Sequence, residues 1–384
     1  MFNFDFHNPI YINVQMYFNN LKIRVLFIMF IFIGESMANQ KIENYMPKTK
    51  EYFNTETTSV MKVGFKENMK VLKEVFFNSH LRKPKGILPE TKPNFDFLIS
   101  KSNKLKFIWF GHSTLLLNTD NQNILIDPVF SENAAPFSFM VKRFQSPVTS
   151  LEALPKINTI VISHNHYDHL DKKTIKFFKD KETKFIVPLG VKNILIKWGI
   201  DEGKVTELDW YQSTKQGKIK FTATPAKHFS GRGLFDRNKT LWASWVIEGS
   251  TEKIFFSGDS GYGKHFKDIG ESFNGFDIAF IENGQYNEKW ADIHMMPNET
   301  IQAAIDLKAK VFVPIHWGMF DLSLHKWYEP IESSYSIAQE KGIPIIAPKL
   351  GEILTNEVQN KSDLWWRASI EKEENTLKVS AVVE

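Results

Sequence analysis

The sequence predicts a layered α/β domain, and three observations support this fold class. Short apolar strands alternate with amphipathic helices from residue 105 onward, the pattern typical of sheets covered by helices. Clusters of His and Asp directly follow several of the predicted strands. The chain has 384 residues, of which 42% are hydrophobic, so it can bury a large core.

The N-terminus carries the pattern of a secretory signal. An apolar core at residues 25–33 follows Lys22 and Arg24 and precedes a small-x-small site at residues 36–38. The core is too short for an ordinary membrane-spanning helix of about 20 residues. We therefore predict that residues 1–38 form a cleaved signal peptide or an uncleaved anchor. The protein is accordingly expected to be exported, and to be periplasmic or membrane-associated.

Residues 39–103 are predicted to form a polar, lysine-rich N-terminal extension. One or two helices are expected over residues 61–77, and the prolines of residues 83–93 indicate an extended connector. The main domain is predicted to follow at residues 104–356. Residues 357–384 are expected to form a C-terminal tail.

The main domain is predicted to begin with antiparallel strands and to continue with alternating helices and strands. The first strands are expected at residues 107–109, 115–117 and 124–126, and the last two are joined by a polar turn over residues 118–123. The predicted helices are residues 172–179, 191–198, 299–308 and 332–341.

The strongest functional signal follows the apolar strand at residues 159–162. The residues that follow this strand include His164, His166, Asp168 and His169. Strand alternation places His164 and His166 on the same side, and the next turn can return the other two side chains to the same cavity. Three imidazoles and one carboxylate favour borderline divalent metals, zinc first. A solvated loop is the less favoured interpretation, because such a loop has no reason to follow a buried strand.

Three further candidate ligands, His228, Asp259 and His316, follow apolar strands later in the chain. A single His at a strand end is more often a structural residue than a ligand. Four such clusters in chain order, however, make coincidence improbable. The sequence therefore predicts that these strand ends meet at one metal site.

The motif HxHxDH at residues 164–169 resembles the signature of the metallo-β-lactamase superfamily. A narrower resemblance covers most of residues 105–355 and is to the N-acylphosphatidylethanolamine-hydrolysing phospholipase D branch with its bacterial relatives. Its most specific runs are HNHYDHLD at residues 164–171, NKTLWASW at 238–245 and IHWGMF at 315–320. Two features depart from the animal members. Residues 229–233 are closer to the bacterial relatives, and Glu282 places a carboxylate where the animal enzyme is apolar.

The resemblance implies a four-layer αββα sandwich with two Zn²⁺ ions per chain at one edge of its two sheets. It assigns His164, His166 and His228 to one zinc, Asp168, His169 and His316 to the other, and Asp259 to both. The bridge has a physical reason, since two dications held close together need an anion between them. The resemblance also implies catalytic roles for Asp168 and His294, with His294 acting on the substrate or supporting the site instead of binding metal.

These expectations favour a zinc-dependent, phospholipase D-type phosphodiesterase. A metal-bridging hydroxide would release N-acylethanolamine from N-acyl phosphatidylethanolamine. One alternative is a hydrolase that uses the same site on a lactone or a small phosphoester. A non-catalytic metal-binding protein is the other. The expected partners are a phospholipid or small ester substrate and a peripherally contacted membrane, while the oligomeric state is left open.

The composition of the chain limits the kinds of partner and of metal ligand that are expected. The net charge is +4 without a long basic block, so no nucleic acid partner is expected. The chain has no cysteine, so the metal ligands are imidazoles and carboxylates. Residues 134–144 combine apolar side chains with basic ones, as either a loop near lipid or a packed loop would. Arg232, Arg237 and Lys239 either meet a phosphate or lie in a solvated turn, and we prefer the turn for Lys239.

Overall fold

Short strands and helices alternate along the chain. The structure, a computed structural model, describes residues 44–56, 82–102, 104–356 and 363–371. Its strands are β1 (Tyr45–Met46), β2 (Glu51–Tyr52), β3 (Lys106–Trp109), β4 (Leu115–Thr119), β5 (Gln122–Ile126), β6 (Thr159–Val161), β7 (Lys184–Pro188), β8 (Val205–Leu208), β9 (Ser213–Gln216), β10 (Ile219–Thr224), β11 (Ser244–Glu248), β12 (Lys253–Phe256), β13 (Ile278–Glu282), β14 (Phe312–Ile315) and β15 (Ile353–Thr355). Its α-helices are α1 (Phe95–Ile99), α2 (Lys172–Phe177), α3 (Val191–Lys197), α4 (His265–Ser272), α5 (Pro297–Asp306) and α6 (Glu329–Lys341). Residues 365–371 are also helical.

Two large sheets form the centre of the domain. The first has seven strands in the order β15-β3-β4-β5-β6-β7-β8, and the second has six in the order β14-β13-β12-β11-β10-β9. In the first sheet, β3 to β5 are antiparallel and β5 to β8 are parallel. In the second sheet, β10 to β12 are antiparallel and β12 to β14 are parallel. As a result, β10, β12, β13 and β14 all end at the same edge.

The two sheets pack face to face because their strands are apolar on both sides. Phe107 of β3 points inward and meets Phe280 of β13 edge-on, with ring centroids 5.1 Å apart. The next residue, Ile108, points outward into the core beneath the helices. Such strands read as continuous apolar runs, because each face is covered by another layer.

Helices cover the outer face of each sheet. Leu98 of α1, Ile175 of α2 and Leu195 of α3 belong to the core on the first sheet. On the second sheet, Phe266 of α4 packs against Phe255 of β12, with ring centroids 6.2 Å apart, while α5 contacts β13 and α6 packs on α5. The predicted four-layer αββα sandwich is therefore confirmed.

The predicted elements differ from the structure mainly at their ends. Strands β4 and β5 extend further than expected, so the turn shrinks to Asp120 and Asn121, whose φ angles of 50° and 58° suit a two-residue hairpin. Helix α4 was not predicted. Its sequence contains Gly270, where a Cβ would overlap with the backbone of Asp306. Close packing against the end of α5 thus stabilises a helix that local propensity does not favour.

Two predicted segments, residues 1–38 and 61–77, lie outside the described residues. Among the residues that the structure does describe, no helix combines the length and the apolar character needed to cross a membrane. Residues 83–93 contain bends at residues 83, 85 and 86 and are otherwise irregular, with Glu90 bridged to Leu350. Of the predicted tail, residues 365–371 pack on the domain through a stack of Trp365 on Trp317, with ring centroids 5.5 Å apart.

The close approach of β13 and β14 at their ends depends on Gly284. A Cβ at this position would overlap with the carbonyl oxygen of His316 and lie 3.1 Å from Cβ of Trp317. We expect Gly284→Ala to lower the free energy of unfolding by about 1–3 kcal/mol, the usual cost of overpacking. Chemical denaturation measures this loss. Gly86→Ala is the matched control, since a Cβ there would meet nothing within 4 Å. Equal stability of the two variants would contradict the packing argument.

Candidate metal centre

Strand ends from both sheets meet at one buried site. From the first sheet, the segment after β6 supplies His164, His166, Asp168 and His169. From the second sheet, the segments after β10, β12 and β14 supply His228, Asp259 and His316. Because these three strands run in the same direction, their carboxyl ends share one edge. All seven predicted ligands are thereby brought together.

The first cluster of possible metal ligands consists of His164, His166, His228 and Asp259, whose ligand atoms all lie within 4.8 Å of one another. Nε2 of His164 lies 2.8 Å from Nδ1 of His166, and Nε2 of His228 lies 3.3 Å from the same atom. Both Nε2 atoms lie 3.7 Å from Oδ2 of Asp259. This is the set that the resemblance assigned to one metal, with the bridging carboxylate included.

The second cluster consists of His112, Asp168, His169 and His316, again within 4.8 Å. Nε2 of His169 lies 3.4 Å from Oδ2 of Asp168 and 3.1 Å from Oδ2 of Asp259. Nδ1 of His316 lies 3.1 Å from Oδ1 of Asp259. Asp259 therefore touches both clusters, one carboxylate oxygen facing His316 and the other facing the imidazoles of the first cluster and His169.

Hydrogen bonds behind two of the imidazoles orient their Nε2 atoms into the site. His169 Nδ1 lies 2.7 Å from Oδ2 of Asp127, and His228 Nδ1 lies 3.1 Å from the carbonyl oxygen of Ile293. Since Asp127 and the carbonyl accept these hydrogen bonds, both Nδ1 atoms carry a proton, and Nε2 is the nitrogen of each ring that is available to a metal. Within the described part of the chain, His169 Nε2 and Asp259 Oδ1 are buried and make no hydrogen bond. Converging imidazole nitrogens and a carboxylate oxygen without a hydrogen bond fit a bound cation.

Electrostatics favour the same conclusion. Burial lowers the pKa of His112 to about 4 and that of His166 to about 3, so both rings are neutral at pH 7, the form that binds metal. Burial raises the pKa of Asp259 to about 6. His169 behaves differently: burial opposes its charge, but Asp259, Asp168 and Asp127 together raise its pKa well above the usual value. The site thus attracts positive charge at its centre.

A cavity of about 270 Å³ opens onto both clusters. Its lining combines ligand side chains with apolar and amide groups: His166, Asp168, His228, Phe229, Asp259, Gln285, Trp290, Ile293, His294, His316 and Leu322. His294, predicted to act on the substrate, lies in this wall with 12% of its side chain exposed. A larger cavity of about 410 Å³ beside α2 contains none of the predicted ligands.

Comparison with known proteins agrees with this geometry. The model of the beta-lactamase superfamily domain matches residues 122–317, just over half of the 384 residues. The chain belongs to the metallo-β-lactamase superfamily. An uncharacterized protein of Mycobacterium tuberculosis is 36% identical over 321 residues, which cover 82% of this chain and 86% of that protein. The Caenorhabditis elegans N-acyl-phosphatidylethanolamine-hydrolyzing phospholipase D 1 is 36% identical over 233 residues, covering 57% and 65% respectively.

One solved structure is similar to this chain in its backbone fold. The isothiocyanate hydrolase from Delia radicum gut bacteria superposes with a TM-score of 0.53 at 18% identity, over 65% of this chain and 98% of that one. Together with the family match, this likeness supports the metallo-β-lactamase fold.

Three residues of this metallo-β-lactamase site were missed by the sequence analysis. Nε2 of His112 lies 2.8 Å from Oδ2 of Asp168, and Asp127 accepts hydrogen bonds from His169 and from Ser163. Glu282 lies 2.8 Å from His294. His112 closely follows β3, Asp127 directly follows β5 and Glu282 ends β13, so each stands at or near a strand end. A position at a strand end was the only signal of this role in the sequence. A lone residue at a strand end can equally be structural, so this signal was not sufficient.

The three basic residues left open by the sequence have structural partners. Arg232 donates to the backbone carbonyls of residues 165, 166 and 170, and thereby braces the ligand-bearing segment. Arg237 lies over the ring of Phe229, with its guanidinium carbon 4.7 Å from the ring centroid. Lys239 pairs with Glu51 at 3.0 Å. None of the three therefore requires a phosphate to account for its placement.

Asp127 is the residue on which the orientation of His169 depends. Its two oxygens accept the N–H and the hydroxyl of Ser163 and the Nδ1–H of His169, at distances of 2.7, 2.5 and 2.7 Å. Asp127→Asn replaces one acceptor oxygen by a donor, so one of these bonds is lost.

We expect the Asp127→Asn change to weaken metal binding by about 10–100-fold, the usual effect of removing a partner of a metal-binding His. Competition with a chelator of known affinity measures the change. Asp180→Asn, on the exposed surface after α2, is the matched control and should bind metal like the wild type. Wild-type affinity in Asp127→Asn would show that His169 is oriented by something else.

Proposed function

We propose that the protein is a zinc-dependent phosphodiesterase of the phospholipase D type that releases N-acylethanolamine from N-acyl phosphatidylethanolamine. The observation that carries this proposal is the pair of His/Asp clusters sharing Asp259 at the floor of one cavity. Similarity to a relative whose name states this activity supports the choice of substrate. The proposed residues are those predicted from the sequence, with two zinc ions per chain.

The proposed ligand sets follow the two clusters. His164, His166 and His228 would hold one zinc, Asp168, His169 and His316 the other, and Asp259 both. His112 has a different role in this proposal, because its Nε2 lies 2.8 Å from the same Asp168 oxygen that faces His169. A hydrogen bond from His112 would hold Asp168 in place. When bound, a pair of zinc ions supplies Lewis acidity and lowers the pKa of water enough to provide a nucleophile at neutral pH.

The chain contributes substrate positioning and proton transfer. Phe229, Trp290 and Leu322 give the cavity apolar walls that suit the carbon atoms next to the phosphodiester of a substrate. His294 lies on the same wall and can exchange a proton with the departing oxygen. Fixed polar groups of the cavity would stabilise the charge that develops on the phosphodiester.

A second candidate function is hydrolysis of a lactone or a small phosphoester. The volume of the cavity favours it, since about 270 Å³ is small for a substrate with several acyl chains. A lipid would therefore have to leave its chains outside the cavity. A non-catalytic metal-binding role is the least supported, because five of the seven proposed ligands, together with His294, line a cavity: His166, Asp168, His228, Asp259 and His316.

Peripheral membrane contact is part of the proposal, and one loop supports it. Leu234 and Phe235 are 92% and 91% exposed, on the segment that begins at the cavity residue Phe229. Arg237, an exposed residue two positions after Phe235, places a cation next to this tip. An apolar tip with an adjacent cation fits an anionic bilayer surface. The sequence left open whether residues 134–144 form a loop near lipid or a packed loop. The exposure of Phe139, 74%, supports the loop near lipid. Export of the protein, directed by residues 1–38, completes the proposal.

A product assay tests the proposed reaction. Zinc-loaded protein is incubated in ¹⁸O-labelled water with N-acyl phosphatidylethanolamine, and separately with a lactone and a simple phosphodiester. We expect two products, N-acylethanolamine without the label and phosphatidate with it. Attack at phosphorus puts the water oxygen on the phosphate. Elemental analysis should give two zinc ions per chain. Asp259→Asn should remove most turnover, since the bridge between the clusters loses its charge. Turnover of the lactone alone, or less than one zinc per chain, would reject the proposal.

The membrane proposal makes a separate prediction. Replacing both Leu234 and Phe235 by Ser should weaken binding to vesicles of phosphatidylcholine and phosphatidylglycerol by about tenfold or more, because two apolar side chains leave the interface. Turnover of a soluble phosphodiester should not change. Ile87→Ser, an exposed apolar residue outside this loop, is the matched control in a vesicle sedimentation assay. Equal binding by both variants would show that this loop does not contact the membrane.

A further inference from the structure

A short segment that precedes the main domain lies against the first metal cluster. Residues 44–56 contain β1 and β2, which pair antiparallel, and continue to a bend at residues 55 and 56. We call residues 44–56 the N-terminal strap. The strap lies outside residues 122–317, which the family model matches. Its contacts with the site therefore involve residues that the family match does not include.

Asn54 of the strap pairs with the backbone of the candidate ligand His228. Its Nδ2 donates to the carbonyl oxygen of His228 at 2.8 Å, and its Oδ1 accepts the N–H of His228 at 3.1 Å. Because a backbone carbonyl only accepts and a backbone N–H only donates, this pairing fixes which end of the amide faces which group. Oδ1 also accepts the indole N–H of Trp242 at 3.0 Å. The side chain of Asn54 thus holds the peptide groups on both sides of the His228 α-carbon.

The backbone of His228 depends on Asn54 because no strand supports it. β10 already ends at Thr224, and His228 is buried, so its backbone polar groups need partners within the protein. Among the hydrogen bonds of the described residues, those with Asn54 are the only ones that the N–H and the carbonyl oxygen of His228 make. The ring has a separate contact, from Nδ1 to the carbonyl oxygen of Ile293 at 3.1 Å. The position of Nε2 of His228 therefore depends on two supports, Asn54 at the backbone and Ile293 at the ring.

The strap is itself fixed to the rest of the domain. It is bonded to the segments that follow β8, β10 and β12 by three hydrogen bonds: Asn44 Nδ2 to Asp209 Oδ1 at 2.9 Å, the Tyr52 N–H to the Asn238 carbonyl oxygen at 2.8 Å, and the Lys264 N–H to Glu56 Oε1 at 2.8 Å. These bonds lie before and after Asn54 in the strap, so the amide of Asn54 is held in one place. A residue fixed in this way can determine the position of another.

We propose that the N-terminal strap is part of the metal centre, and that Asn54 is a positioning residue that holds His228 in place for the first zinc. This inference rests on the two-zinc site of the proposed function. The effects on the two zinc ions should differ. His228 belongs to the first cluster, whereas no hydrogen bond or ion pair joins the described strap residues to the second cluster, His112, Asp168, His169 and His316. Loss of Asn54 should therefore weaken binding of the first zinc selectively.

Two substitutions of Asn54 separate hydrogen bonding from packing. Asn54→Leu keeps most of the side-chain volume and removes both hydrogen bonds to His228, while Asn54→Ala removes the bonds and the volume. Trp242 keeps a partner in both variants, since its indole N–H also donates to the carbonyl oxygen of Ala226 at 2.9 Å. If Asn54 only packed, the leucine variant would bind zinc like the wild type. We expect both variants to bind the first zinc about 10–100-fold more weakly, the usual effect of removing an outer partner of a metal ligand.

Chelator competition on the full chain measures the two zinc affinities, and His228→Ala and His316→Ala identify which binding step belongs to which cluster. The affinity for the second zinc should stay within about threefold of wild type, because its ligands do not contact the strap. In the His228→Ala background, Asn54→Leu should cause no further loss of zinc affinity, because Asn54 acts through His228.

Glu51→Gln is the matched control. Glu51 also lies in the strap and forms an ion pair with Lys239 at 3.0 Å, but it does not contact His228. The variant should bind both zinc ions like the wild type. Four results would overturn the proposal: wild-type affinity for the first zinc in either Asn54 variant, equal weakening of both zinc ions, a loss in Glu51→Gln as large as in Asn54→Leu, or a further loss from Asn54→Leu in the His228→Ala background.

Amide hydrogen exchange tests the contact without zinc or turnover. Selective ¹⁵N labelling of histidine shows the backbone amides of these residues, and the signal missing from His228→Ala belongs to His228. In the metal-free full chain we expect slow exchange of this amide, and exchange about tenfold faster or more in Asn54→Ala, because the N–H loses its acceptor. Fast exchange in the wild type would overturn the proposal even if an Asn54 variant does not fold. If the wild type binds no zinc or hydrolyses no phosphodiester, the proposed function fails, and the exchange rates still decide whether Asn54 holds His228.

Discussion

The contact between Asp259 and the imidazoles of both sheets is the constraint on which the site depends. Asp259 comes from the second sheet, while His164 and His169 come from the first, and Oδ2 of Asp259 lies 3.7 and 3.1 Å from their Nε2 atoms. A carboxylate buried between two sheets is costly unless positive charge compensates it. The packing of the two sheets buries this carboxylate and therefore favours a bound cation beside it.

The same edge is tied together by the backbone. The N–H of His112 donates to the carbonyl oxygen of Trp317 at 3.0 Å, and the N–H of His316 donates to that of His112 at 2.8 Å. These bonds join the end of β3 in one sheet to the end of β14 in the other. Behind them, Trp109 stacks on Trp317 with ring centroids 5.3 Å apart. Site residues from different sheets are consequently held at fixed distances before any metal binds.

Local backbone strain accompanies this arrangement. His112, Asp127 and His316 have φ angles of 52°, 41° and 65°, a left-handed region that costs such residues of order 1–3 kcal/mol each. Each of the three lies at or near the end of a strand, where the left-handed backbone conformation directs the side chain toward the site. The apolar core between the sheets and under the helices offsets this cost. Stability is thus concentrated in the layers, and the strained positions are concentrated at their shared edge.

The sequence by itself determined the layered fold, because apolar runs of strand length and amphipathic helical runs are local patterns. It also predicted the seven candidate ligands, which the structure brings to one site, and His294 beside them, because ligand residue types directly after apolar strands and a specific motif are local as well. Only the tertiary structure decided the partners of these residues. Asp127 lies 42 positions from His169, and Glu282 lies 12 positions from His294, so neither pairing follows from sequence spacing. Helix α4 was likewise decided by packing, since Gly270 is favourable there only because the end of α5 approaches it. The physical reason is the same in each case: a side chain's protonation and orientation depend on what faces it across the fold, and chain order does not record those neighbours.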